Sequence, residues 1–239
     1  PVIGYDIDAA RRARLNEIGG KAVDSIAALA KLSRTVLVAV FNTAQVEDVI
    51  ENHLLPALGD GSGKIVAVMS TVDPDQVAAL AARVVPRGIR YLDVPVSGTS
   101  DQVRRGDGVA LIGGDAAIAA ELKDVFDALF ARSFHVGKIG DGGRAKLAVN
   151  LILGLNRLAL AEGLVFAERL GLDPFAIRRI NPMPAAWKTH TKKTCATVRP
   201  TRAPCSAHLK HHLGLACLLG KLRLAQPLGV FGVTLAKGA

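Results

Sequence analysis

Apolar and polar positions alternate in two different rhythms along this chain. Up to about residue 138, short apolar runs alternate with segments of helical period. Val2-Ile3-Gly4-Tyr5 predicts a short strand that ends at Asp6. Asp8 predicts the cap of the following helix, and Gly19-Gly20 its stop. Arg34 to Phe41 (RTVLVAVF) and Lys64 to Met69 (KIVAVM) are β-branched runs suited to strands covered on both faces. Helices are expected over Ala44 to Leu58, over Gln76 to Val85 behind Asp73-Pro74, and over Asp115 to Phe130. Further strands are expected at Arg90 to Val96, Gly108 to Ile112 and Ser133 to Val136. Strands alternating with helices predict an α/β fold with a mainly parallel sheet.

After Gly143 the rhythm changes. Arg144 to Leu170 predicts one long helix stopped by Gly171, and Pro174 starts a short one. The apolar stretch from Leu147 to Leu172 is broken by Asn150, Asn156, Arg157, Glu162, Glu168 and Arg169, which predicts a buried helix of a soluble protein rather than a membrane span. His208 to Leu224 again has helical period. The expected division is a dinucleotide-binding domain over 1–140 and a helical domain for substrate and dimerisation over 141–239.

Composition adds one unusual feature. The chain carries a net charge of +9, but residues 174 to 239 hold no Asp or Glu and 11 of the 30 Lys and Arg. All three cysteines and four of the six histidines lie there too. An odd number of cysteines predicts no disulfide framework, so a reducing cytoplasmic setting is expected. Cys195, Cys205, His208, His211, His212 and Cys217 fit no standard finger spacing, and no metal site is expected. The basic segment lacks interleaved aromatics, so a solvated basic surface is expected rather than nucleic-acid binding. Between Asn181 and Cys205 the acid-free, Pro-, Thr- and Lys-rich sequence points to a divergent or misread segment.

Two fragments carry chemistry. Asp93-Val94-Pro95-Val96-Ser97-Gly98 ends a strand, and Gly137, Gly140 and Gly142 precede Lys146 and Asn150. Lys146 and Asn150 are four residues apart, so they share one helix face. Together the fragments resemble the β-hydroxyacid dehydrogenase family, which includes 3-hydroxyisobutyrate dehydrogenase and tartronate semialdehyde reductase. The resemblance implies a Rossmann-like domain followed by an all-helical domain of the 6-phosphogluconate dehydrogenase type.

It also implies an NAD(P)-dependent oxidoreductase of small β-hydroxyacids, acting as a homo-oligomer. Lys146 would be the general acid/base and Asn150 would orient substrate. Ser97, Gly98 and Thr99 would hold the substrate carboxylate, although Thr99 replaces the second glycine of the family motif. Asp6, Val40, Phe41, Gln45, Thr71 and Lys210 would contact the cofactor. Asp6 stands where an acid binds the adenosine ribose hydroxyls, which favours NAD over NADP. By itself Asp6 reads as an ordinary helix-start or turn acid, but the order of elements around it favours the cofactor role, whereas Gln45 and Thr71 could equally be caps or solvated helix residues. No G-x-G-x-x-G occurs near the start. Counting back from Asp6 puts the first strand and its glycine turn before residue 1, so both are expected to be missing and NAD to bind weakly. His211 stands where the family has Asp. The alternative is a non-catalytic binding protein, or an inactive fragment, on a dehydrogenase scaffold.

Overall fold

The computed structural model describes residues 2–60, 62–180 and 230–233. Contacts divide the chain into a unit of residues 1–149 with 225–239, and a unit of residues 150–224.

Among the described residues, the first unit holds a nine-stranded sheet. Its strands are β1 (Val2–Tyr5), β2 (Lys21–Ala22), β3 (Thr35–Val38), β4 (Ile65–Val68), β5 (Arg90–Asp93), β6 (Val96–Ser97), β7 (Val109–Gly114), β8 (Arg132–Gly137) and β9 (Val230–Val233). The order is β2-β1-β9-β3-β4-β5-β7-β6, with β8 beside β7. Strands β1 to β6 run one way, and β7, β8 and β9 run the other.

The two β-branched runs become the middle of the sheet because both faces of each are covered. Val36, Val38, Val66 and Val68 enter the core on one face, with Leu29, Ile50 and Leu80. Leu37, Ile65 and Ala67 enter the core on the other, with Leu122 and Phe126. Period-two alternation thus divides one apolar run between two cores, and a helical layer closes each.

The helices are α1 (Ala9–Glu17), α2 (Ile26–Leu32), α3 (Thr43–Glu47), α4 (Leu55–Leu58), α5 (Pro74–Val84), α6 (Ser100–Arg104), α7 (Ala116–Glu121), α8 (Lys123–Leu129), α9 (Asp141–Arg169) and α10 (Pro174–Ile180). A π-helical stretch, Asp48–Leu54, joins α3 to α4. Local capping chemistry sets several starts. Asp8 accepts the Ala10 amide at 2.8 Å, and Asp73 accepts those of Asp75 and Gln76. Lys64 reaches the carbonyls of Ala30 and Ser33 and so closes the C-terminal end of α2.

Two elements differ from expectation. The helix foreseen over Asp115 to Phe130 is two helices meeting at Leu122. The strand β9 departs from the all-helical expectation for 141–239. It inserts antiparallel between β1 and β3, with Val230 opposite Tyr5 and Val38. A four-residue apolar run is as compatible with a helix as with a strand, and only its pairing partners decide.

The long helix α9 forms as foreseen, over 29 residues, but most of its large apolar side chains are exposed. Leu151 is 64 % and Phe166 63 % exposed. By length and composition alone α9 could cross a membrane, a test that core helices of soluble proteins also pass. The helical period reports which residues share a face, not what covers that face. The readings made for Asn181 to Cys205, for the Cys and His residues from 195 to 217, and for Lys210 lie outside the described residues.

Tyr91 is 1 % exposed, and its hydroxyl has no hydrogen-bond partner among the described residues. A buried orphan hydroxyl is destabilising. Tyr91→Phe is therefore expected to raise stability by about 1 kcal/mol. The check is a higher urea midpoint with an unchanged denaturant slope.

Candidate functional site

Strands β1, β3, β4 and β5 point the same way, so the residues after them gather at one edge of the sheet. In open α/β sheets this carboxyl edge is where ligands bind. Asp6 follows β1. Its Oδ1 accepts the Asp8 amide at 2.9 Å, and its Oδ2 lies 3.6 Å from the Arg11 guanidinium. Arg12 donates to the Asp6 carbonyl at 2.5 Å and lies over the Tyr5 ring.

Val40 and Phe41 follow β3, and Thr71 follows β4. Ser70 ties these two strand ends together. Its hydroxyl donates to the Val40 carbonyl at 2.7 Å and accepts the Val40 amide at 2.8 Å. Gln45, one turn into α3, accepts the Phe41 amide at 2.8 Å. Phe41 is 63 % exposed and Thr71 is exposed, so both are open to a ligand. The exposed Phe41 and Thr71 and the acid at the end of β1 thus lie along one edge of the sheet. Ser70 was not foreseen, because serine in a loop carries no signal of its own.

Beyond β5 the chain makes β6 and then α6. Ser97 is half-buried and pairs with Val109. Gly98 has φ +146°, a conformation that favours glycine. Thr99 caps α6 in a reciprocal box. Its amide donates to Gln102 Oε1 at 2.9 Å, and its hydroxyl accepts the Gln102 amide at 3.3 Å. A carboxylate approaching the Thr99 amide must therefore displace the Gln102 side chain.

Lys146 lies in the second turn of α9 and is 7 % exposed. No hydrogen bond or ion pair reaches it among the described residues, and burial alone lowers its pKa from the ordinary 10.5 to about 8. A buried ammonium without a partner is expensive. Such groups concentrate where a proton must move near neutral pH. The helix start is itself held by Arg144, which bridges Asp141 at 2.9 Å and Asp75 of α5 at 2.6 Å. Asn150, one turn after Lys146, is exposed and is the first residue of the second unit.

In the sequence Asp93 is only the first position of the run that ends β5. It proves to be a buried carboxylate, 3 % exposed, joined to the start of α9. Its Oδ1 accepts the Gly140 amide at 3.0 Å and its Oδ2 the Gly143 amide at 2.9 Å.

Known proteins share this architecture. The chain is 32% identical over 165 residues to 2-hydroxy-3-oxopropionate reductase of Escherichia coli (strain K12), covering 69% of this chain and 56% of that protein. It is 38% identical over 109 residues to the cytokine-like nuclear factor N-PAC of Xenopus tropicalis, covering 46% of this chain and 20% of that protein. The chain spans little more than half the length of the curated reductases and dehydrogenases it matches, 56 to 60%. Its fold is that of Mycobacterium tuberculosis 3-hydroxyisobutyrate dehydrogenase, solved with L-serine. The TM-score is 0.71 at 19% identity, over 92% of this chain and 77% of that one. Residues 1–137 match the model of the NAD binding domain of 6-phosphogluconate dehydrogenase, and by that match the chain belongs to this NAD-binding family.

Proposed function

We propose that this chain serves an NAD(P)-dependent oxidoreductase of small β-hydroxyacids, of the 3-hydroxyisobutyrate or tartronate semialdehyde type, with Lys146 as general acid/base. The observation that supports this most is Lys146 itself: buried, unpartnered among the described residues, and with a pKa near 8. A bound reduced nicotinamide supplies hydride to a carbonyl carbon. The Lys146 ammonium donates a proton to the carbonyl oxygen, and in the reverse direction the neutral amine takes it back.

Asn150 and the Ser97-Gly98-Thr99 turn orient the substrate and its carboxylate. Asp6 receives the adenosine ribose, and Val40, Phe41, Gln45 and Thr71 line the nicotinamide side. Lys210 is proposed as a further cofactor contact on the family resemblance alone. Asp6 favours NAD, but Arg11 beside it offsets its charge, so NADP is also accepted. The protein is assigned to the cytoplasm and to a homo-oligomer, and the second assignment is supported by the apolar row Leu151, Leu155 and Leu158 exposed on α9.

The test is an assay of NADH and NADPH oxidation with three- and four-carbon semialdehydes across pH. Reduction needs the ammonium, so kcat/KM is expected to be level at low pH and to fall above about 8. Oxidation of the hydroxyacid needs the amine and is expected to rise through the same point. A rate that ignores this range would sink the assignment of Lys146. A second reading, a binding protein on a dehydrogenase scaffold, draws on the similarity to N-PAC, which is named as a nuclear factor and not as an enzyme. A binder has no use for a desolvated lysine, so cofactor binding without turnover is the result that would favour it.

A further inference from the structure

The start of α9 is closed by a group distant in sequence. An α-helix leaves its first four amides without intrahelical partners. A capping box satisfies two of them, at the cap and at the third helical residue, with side chains from the helix itself. Here those two positions are Gly140 and Gly143, and neither has a side chain to offer. Asp93 satisfies both amides from the end of β5, across 47 and 50 residues of sequence. The carboxylate also faces the positive end of the helix dipole. Its surroundings admit little movement. A Cβ on Gly113 would stand 2.2 Å from Asp93 Oδ1, and one on Gly142 would stand 2.7 Å from Oδ2.

Gly143 and Lys146 are three residues apart on one rigid helix. We propose that Asp93 is a positioning residue for Lys146: by holding the Gly140 and Gly143 amides it pins the first turn of α9 to the end of β5 and so sets where the Lys146 ammonium stands. This rests on the reading of Lys146 as the acid/base. Asp93 does not touch substrate or cofactor in this scheme. Burial holds its own carboxyl above the usual aspartate range, which the two amides partly offset. An apolar residue there would leave both amides orphaned.

The experiment replaces Asp93 by Asn, which keeps the shape and one acceptor oxygen but turns an NH₂ toward the second amide. Two readouts are independent of turnover. The first is hydrogen exchange. The Gly140 and Gly143 amides are expected to exchange about tenfold faster in Asp93→Asn, the scale of a lost cap, while α5 amides keep their rates. The second is competitive acylation of lysines across pH, read by mass spectrometry.

In the unaltered protein Lys146 is expected to label with a midpoint near 8. In Asp93→Asn the midpoint is expected to rise toward the ordinary lysine value as the loosened turn admits water, with Lys123 on α8 unchanged. The sign discriminates. Loss of a negative charge alone would not raise the lysine midpoint, whereas displacement into water raises it. Faster exchange with a fixed or lowered Lys146 midpoint would reduce Asp93 to a structural cap and overturn the proposal. Should Asp93→Asn fail to fold, exchange in the unaltered protein decides: rapid exchange of Gly140 and Gly143 would show that no clamp exists. A raised midpoint together with normal turnover in Lys146→Ala would leave the positioning intact and reject the acid/base reading instead.

Discussion

Lys146→Ala is expected to lower turnover of a β-hydroxyacid by about 10²–10⁴-fold, the usual effect of losing a positioned general acid, while NAD affinity hardly changes. The two effects separate because the groups are separate. Asp6, Val40, Phe41 and Thr71 follow β1, β3 and β4, whereas Lys146 stands on α9. The variant removes the proton and leaves those strand ends intact. Lys146→Arg should also be poor. A guanidinium stays protonated in the range where the lysine, near 8, can give and take a proton. Steady-state kinetics in both directions, with cofactor titration calorimetry beside them, make the check. Near-normal turnover in Lys146→Ala would mean that the proton comes from another group.

Gly113→Ala is expected to destabilise the first unit by about 3 kcal/mol, the upper range for overpacking a filled site, or to leave it unfolded. The added Cβ would lie 2.2 Å from Asp93 Oδ1, 2.7 Å from the Gly142 nitrogen and 2.7 Å from the Lys138 carbonyl oxygen. Two of these are backbone atoms, and the third is a carboxylate already held by two amides. None can swing away as a flexible side-chain end would. Gly154→Ala on α9 is the control, because nothing lies within 4 Å of its added Cβ. There the helix gains about 1 kcal/mol or is unchanged. Denaturant midpoints of the two variants and the parent decide it. Equal midpoints for Gly113→Ala and the parent would show that β7 and the start of α9 do not approach as described.

Much of the fold was legible in the order of residues because its causes are local. Strands β3 and β4 announce themselves as unbroken β-branched runs, since a strand covered on both faces needs no polar side. Asp8 and Asp73 cap helices three or fewer residues away, within reach of any short-range rule. The glycine-spaced entry to Lys146 was readable for the same reason, as one short pattern. Lys146 is thus marked by local sequence alone, independently of its burial.

What the tertiary structure alone decided acts across long separations. Nothing in Val230-Phe231-Gly232-Val233 says that it lies between β1 and β3. A four-residue run acquires a strand identity only from the two edges that its backbone satisfies. The period of α9 gave its length but not the exposure of its apolar row, because periodicity ranks faces without naming their neighbours. Asp93 reads as one letter of a motif until its carboxylate is seen to satisfy Gly140 and Gly143. Thr99 reads as a substituted glycine until its amide is found on Gln102. Local pattern determined which groups this protein has for its chemistry. Burial and long-range hydrogen bonds determined which of them are held in place, because desolvation and amide satisfaction depend on what the folded chain brings together.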